Sequence, residues 1–253
     1  MDIASIDVGG RRMCAQVRGH GPSLVLDCGG AGQGLGGAWG TGLEDDLAAL
    51  ATLVTYDRAG AGRSDGPQSR TVADMTDDLH RLLRGLGLPL PAVFAGWSFG
   101  GLVVQHYALR HPDDVAGLVF VDPTAARTPP GSALVRTLSF AFVSRALRLR
   151  ALLPTASSRS IRELAGTLAA LPRHMREVAD AFERGTLPPV PVRVITAGKR
   201  PRMPKAQLAH LNSCHQELAD GSPHGRLVVA EHATHQIPHE QPEIIRQVIS
   251  EIL

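Results

Sequence analysis

Short apolar, β-branched runs recur along the chain at Ile3–Val8, Arg12–Val17, Ser23–Leu26, Thr52–Tyr56, Ala92–Ala95, Gly117–Val121, Val192–Thr196 and Leu227–Ala230, and each predicts a strand. Between most of them the apolar positions switch to three- and four-residue spacing, which predicts amphipathic helices over Val72–Leu86, Gly101–Arg110, Pro204–Ala219 and Pro242–Leu253. Alternation of this kind argues for an α/β fold with a mostly parallel sheet covered on both faces. The first two runs, joined through Gly9-Gly10, predict an antiparallel pair at one edge.

The alternation stops between about Ala125 and Val190. Helical patterns follow one another there, at Ser132–Leu153, Ser160–Leu171 and Pro172–Arg184, and prolines bracket the segment at Pro129-Pro130 and Pro188-Pro189-Val190-Pro191. We read residues 125–190 as a helical cap inserted into a core made of 1–124 and 191–253. The alternative is that these helices cover a sheet face; the insertion point, after a strand that ends in an acid, favours a cap over the active site.

The composition is that of a soluble globular protein: 43% apolar and 20% charged residues over 253 positions, with a net charge of +2. Scattered arginines and 4% aromatics give no surface of the kind that binds nucleic acid. No apolar stretch is long enough to span a membrane, and the octet Met1–Val8 lacks the features of a signal peptide, so a cytoplasmic location is expected. Cys14, Cys28 and Cys214 are odd in number, and no C-x-x-C pair suggests zinc or redox chemistry.

The sharpest local signal is Gly96-Trp97-Ser98-Phe99-Gly100, directly after Ala92–Ala95 and directly before the helical pattern. A strand-to-helix turn this tight strains the backbone of its central residue, leaves no room for side chains beside it, and lifts the Ser98 hydroxyl out of the sheet. The helix start also aims free N–H groups at a place where an oxygen becomes negative during acyl transfer. Ser98 is the candidate nucleophile, and it needs a base.

Of eleven histidines, His235 stands in the loop between the last strand and the last helix, where α/β sheets place reacting groups; His232 and His239 share that loop and compete with it. Asp122 closes the strand Gly117–Val121 and falls between Ser98 and His235 in chain order, which suits the carboxylate that orients the base. The next strand runs into Ala197-Gly198-Lys199-Arg200 with no acid. Glu231 is the alternative acid, and capping of the following turn is the alternative role for Asp122. The oxyanion donors are expected to be the amides of Phe99 and of Gly30, the latter in the glycine-rich loop Cys28–Gly34. That loop has neither the lysine of a P-loop nor a dinucleotide fingerprint, and no metal or organic cofactor is implied.

These residues resemble the α/β-hydrolase superfamily over nearly the whole chain outside the cap. Four segments carry the resemblance: Cys28-Gly29-Gly30, the turn Tyr56-Asp57-Arg58-Ala59-Gly60-Ala61-Gly62-Arg63-Ser64, the elbow Gly96–Gly101 and the loop holding His235. The resemblance implies a sheet of about eight strands with only the second antiparallel, and a loop-fixing role for Asp57 and Arg58. The chain departs from the family pattern at Cys28, where many relatives have histidine, and before Lys199, where many place the acid.

The expected activity is that of a serine esterase or lactonase acting on a small, largely apolar molecule through an acyl-enzyme, in a pocket lined by Trp97, Leu138, Phe140 and Phe142. Trp97 suits core packing equally well. The protein is expected to be a monomer or homodimer. Transfer, cyclisation or lyase chemistry on the same scaffold, or ligand sensing, are the alternative functions. A serine at the nucleophile position excludes the dehalogenases and epoxide hydrolases of this fold, which use aspartate.

Overall fold

The computed structural model describes residues 3–128, 131–153, 158–201 and 203–253; Pro129 and Pro130, half of the proline bracketing, lie outside them. Eight strands form one sheet in the order β1-β2-β4-β3-β5-β6-β7-β8. They are β1 Ile3–Asp7, β2 Arg12–Arg18, β3 Ser23–Asp27, β4 Thr52–Tyr56, β5 Ala92–Trp97, β6 Val115–Val121, β7 Val192–Ala197 and β8 Gly225–Ala230. β2 pairs antiparallel with both β1 and β4, and every later pairing is parallel.

β3, β5 and β6 are apolar almost throughout because both faces of the sheet are covered. On one face Val25, Phe94, Leu118 and Phe120 pack with Leu79, Leu82 and Tyr107 from α2 (Val72–Gly85) and α3 (Phe99–Arg110). On the other, Leu24, Leu26, Val93 and Val119 pack with Leu43 and Leu47 of α1 (Thr41–Ala48) and with Ile245, Val248 and Ile249 of α8 (Pro242–Ser250). α6 (Lys205–Asp220) joins β7 to β8, and the one-turn α7 (Ile237–Glu240) precedes α8.

Between β6 and β7 lie α4 (Ala133–Arg150) and α5 (Ser158–Arg184), with no strand among the described residues of 125–190. Pro172 does not divide two helices, as its position predicts; it sits inside the single 27-residue α5. Met175 and Val178 of α5 pack with Val72, Phe99, Leu102 and Val103, so this helix is anchored on the starts of α2 and α3.

Candidate active site

Ser98 sits between β5 and α3 at φ 56°, ψ −118°, a left-handed conformation that costs a non-glycine residue energy and is held by its surroundings. Its amide donates to the Val121 carbonyl at 3.0 Å, and its carbonyl accepts from the amides of Thr124 at 2.9 Å and Gly101 at 3.1 Å. Glycine is required on both sides. A Cβ on Gly96 would lie 2.7 Å from the Gly100 carbonyl oxygen, and one on Gly100 would overlap the carbonyls of Asp27 and Cys28. The same close approach brings the β3 end, and the loop after it, against the turn that carries Ser98.

His235 Nε2 is 2.8 Å from Ser98 Oγ, and His235 Nδ1 is 2.5 Å from Asp122 Oδ2. Neither His232 nor His239 meets Ser98: His239 lies edge-on to Trp97 with ring centroids 5.9 Å apart, and the His232 amide donates to Gln241 Oε1 at 2.8 Å. The histidine loop is fixed from beneath. Trp97 Nε1 donates to the His235 carbonyl at 3.0 Å and its ring lies 5.9 Å from the imidazole, while Glu240 accepts from the Thr234 amide and hydroxyl. Trp97 also packs on Trp39, with ring centroids 6.2 Å apart, and so supports the loop from the core side.

Asp122 lies at the end of β6, again at positive φ (43°), with its amide on the Ile195 carbonyl at 2.7 Å. Its carboxylate is buried, 1% exposed, and fully hydrogen-bonded. Oδ2 takes His235 Nδ1 and, at 2.7 Å, Arg200 Nη1; Oδ1 takes Arg200 Nη2 and, at 3.2 Å, the Ala197 amide. Burial alone would push this carboxyl up, but the hydrogen bonds from His235 and Arg200 and the arginine charge outweigh it and hold it down at about 2. Sequence reasoning did not find Arg200. The available signal was the β7 loop, which offers an arginine where an acid was sought. Glu231, the alternative acid, is exposed, and its backbone lies against Gly198.

The glycine-rich loop is held by its carbonyls. Gly29 O accepts from Arg58 Nη2 and from the Gly32 amide, and Gly30 O accepts from Thr167 Oγ1 of α5 at 2.7 Å. Because N–H and C=O of a trans peptide point opposite ways, the bonds to Gly29 O turn the Gly30 N–H away from Arg58. The Phe99 amide is the first of α3, with no carbonyl one turn earlier to receive it. Asp57 accepts from the amides of Leu35 (3.0 Å) and Arg63 (2.7 Å), which fixes the turn that carries Arg58.

Two cavities adjoin these elements. One of about 470 Å³ lies among Pro123–Arg127, Phe182, Leu187 and α6; the other, about 190 Å³, lies between Gly30–Gly32, Phe99 and α5. Leu138, Phe140 and Phe142 line neither of them. α4 turns Ser144 toward α5, where its hydroxyl donates to the Ala165 carbonyl at 2.8 Å, and this leaves Leu138 and Phe142 facing outward, 59% and 74% exposed. The cavity beside the Gly30–Gly32 loop is lined by Arg58, Arg70 and Arg173 together with Met75, Phe99 and small residues.

Among the described residues, one trio of side chains has metal-like spacing: His80, His111 and Asp114, at the far end of α3 from Ser98. The Asp114 carboxylate already accepts from Tyr107, Arg84 and His80, and the two imidazoles are stacked at 4.1 Å, so their in-plane lone pairs do not converge. This is the donor set of a hydrogen-bonded cluster, which does not fit a metal centre.

Comparison with known proteins agrees with this architecture. Over 135 residues, 49% of this chain and 19% of the relative, the sequence is 33% identical to the probable transporter efuK of Hormonema carpetanum. Over 103 residues, 41% of this chain and 37% of the relative, it is 38% identical to a pimeloyl acyl-carrier-protein methyl ester esterase of Chromobacterium violaceum. The aligned part is thus less than two fifths of either relative's length. The fold is similar to that of an enol-lactonase from Burkholderia xenovorans, with a TM-score of 0.71, 22% identity and 99% of each chain covered. The model of the alpha/beta hydrolase family matches residues 20–248, and with sheet order, elbow and helix placement all in agreement, this chain belongs to the alpha/beta hydrolase family.

Proposed function

We propose that this hydrolase cleaves a carboxylic ester or lactone of a small molecule through an acyl-enzyme on Ser98. The observation that carries the reading is the unbroken chain from Ser98 Oγ through His235 to Asp122, at 2.8 and 2.5 Å. Ser98 attacks the carbonyl carbon as His235 Nε2 takes its proton. His235 then hands that proton to the departing alkoxide; in the second half-reaction it takes a proton from the water that attacks the acyl carbonyl and returns it to Ser98 Oγ as the acyl–oxygen bond breaks and the acid leaves. Asp122 keeps Nδ1 protonated and stabilises the imidazolium. The amides of Phe99 and Gly30 hold the oxyanion, and α4 and α5 act as the cap that closes over the acyl group.

The test is intact-protein mass spectrometry after exposure to a fluorophosphonate, together with turnover of a panel of p-nitrophenyl esters. A single adduct on Ser98, with turnover reduced about 10³-fold or more in Ser98→Ala, His235→Ala and Asp122→Ala, is the expected result. An unlabelled Ser98 with no ester turned over would refute acyl-enzyme chemistry in this protein.

A further inference from the structure

The 190 Å³ cavity is smaller than the roughly 300 Å³ at which whole small molecules begin to be enclosed, so it accommodates one end of a ligand. Gly30 and Phe99, the residues assigned above to the oxyanion, form one wall, and α5 forms the other. Three arginines, Arg58, Arg70 and Arg173, line it, and no aspartate or glutamate does.

The three arginines are not equivalent. Arg58 is committed to the fold: its Nη1 lies 3.3 Å from buried Asp27, its Nη2 holds the Gly29 carbonyl, and its guanidinium lies 5.0 Å over the Phe99 ring. Arg70 and Arg173 sit together because Arg173 Nη2 and His174 Nε2 both bond to the Arg70 carbonyl, the latter at 3.1 Å, which ties the Arg70 segment to α5. Neither guanidinium meets a carboxylate among the described residues.

The acids in the neighbourhood are occupied elsewhere. Glu177 accepts from the amides of Val72 and Ala73 at the start of α2 (2.9 and 2.8 Å). Glu163 accepts from Gln33 and pairs with Arg159 at 3.0 Å. Asp74 closes the capping box with Thr71. Arg70 and Arg173 are exposed residues lining this small pocket, neither is in an ion pair among the described residues, and a guanidinium fork matches a carboxylate in shape as well as charge.

We propose that this cavity is an anion subsite in which Arg70 and Arg173 take a carboxylate of the substrate, so that the substrate is an ester or lactone bearing a second, ionised carboxyl group a few bonds from the scissile carbonyl. The proposal rests on Ser98 being the nucleophile, since the cavity is defined by its place beside the oxyanion residues.

The experiment compares monomethyl glutarate with methyl valerate, followed by acid release, in the wild type and in Arg70→Ala, Arg173→Ala and the two arginine-to-lysine variants. The expected result is a wild-type preference for the charged ester of about tenfold or more in kcat/KM, on the scale of one charge-assisted hydrogen bond. That ratio falls about tenfold in each alanine variant, chiefly through KM, recovers in part with lysine, and shrinks as salt is added. Equal handling of the two esters by a protein whose Ser98 is labelled would overturn the subsite and leave the serine-hydrolase reading standing.

Calorimetric titration of Ser98→Ala protein with monomethyl glutarate decides the matter independently of turnover. Binding that disappears in the Arg70→Ala/Arg173→Ala background supports the subsite even if no ester is hydrolysed. No binding, or binding indifferent to both arginines, refutes it.

Discussion

Arg200 and Asp122 are 78 residues apart in the chain and form a two-pronged ion pair behind the imidazole, with side chains 9% and 1% exposed. Two opposed effects follow from that geometry. The arginine fixes the carboxylate so that one oxygen always faces His235 Nδ1, and it also draws charge from that carboxylate and weakens its hold on an imidazolium. Replacing Arg200 by glutamine therefore has consequences that a purely structural residue would not share. The buried acid loses its counter-ion, which costs about 3 kcal/mol of folding stability. The activity falls about 10- to 100-fold as the carboxylate loses its fixed orientation. The acid limb of the kcat/KM profile moves to higher pH, because the Asp122 carboxyl, held at about 2 in part by Arg200, rises when the guanidinium is removed. Urea unfolding and a pH–rate series measure all three. A variant with reduced stability and an unmoved pH profile would make Arg200 a packing residue only.

Pro172 poses the corresponding question for an element. It stands inside α5, where it removes the donor that would meet the Leu168 carbonyl, and a proline in a helix interior is worse than alanine by about 3 kcal/mol. Pro172→Ala is expected to raise the unfolding free energy by about 1 to 3 kcal/mol with Ser98 labelling retained; a loss of stability would mean that the docking of α5 on α3 depends on the proline. The same residue shows where local signals ended. Proline marks a helix break in the sequence, yet Met175 and Val178 beyond it and Ala165 before it are all buried, and their packing carries the helix through. α1 went unseen for the opposite reason, since Thr41–Ala48 is short, acidic and preceded by Gly36, Gly37 and Gly40, and only the burial of Leu43 and Leu47 makes it a helix. All eight strands and their alternation with the helices were legible, the central β3, β5 and β6 as nearly continuous apolar runs and β1 and β2 as a pair joined through Gly9-Gly10. The candidate site divides likewise. Ser98, His235 and Asp122 were legible because each stands at the end of a strand or in the loop after one, where the sheet brings them together. Arg200, and the pairing of Arg70 with Arg173, were not, because their meaning depends on partners 78 and 103 residues away.

At the scale of the whole molecule, three buried histidines tie separate layers together as neutral rings. His106 of α3 meets Thr76 of α2 at 2.9 Å; His174 of α5 meets the Arg70 carbonyl; His215 of α6 meets Thr196 of β7 and the Pro123 carbonyl, both at 2.9 Å. Burial holds all three below the ordinary histidine range. The unfolded chain then takes up protons at a higher pH than the folded one, so the stability they supply is intact above about pH 6.5 and is lost as the pH falls below it. Burial pushes Asp27, Glu44 and Asp57 upward, which works in the other direction at more acid pH and masks part of the trend. A difference between two proteins separates the terms. Each depressed histidine contributes a loss of at most about 1.4 kcal/mol between neutral pH and about pH 5.5. His215 bonds to the carbonyl of Pro123, the residue that follows Asp122. His215→Gln is expected to be less stable than the wild type at neutral pH and to lose about 1 kcal/mol less on going to about pH 5.5, read from urea midpoints. The same acid-induced loss in both proteins would show that the ring at 215 is not held neutral by the fold.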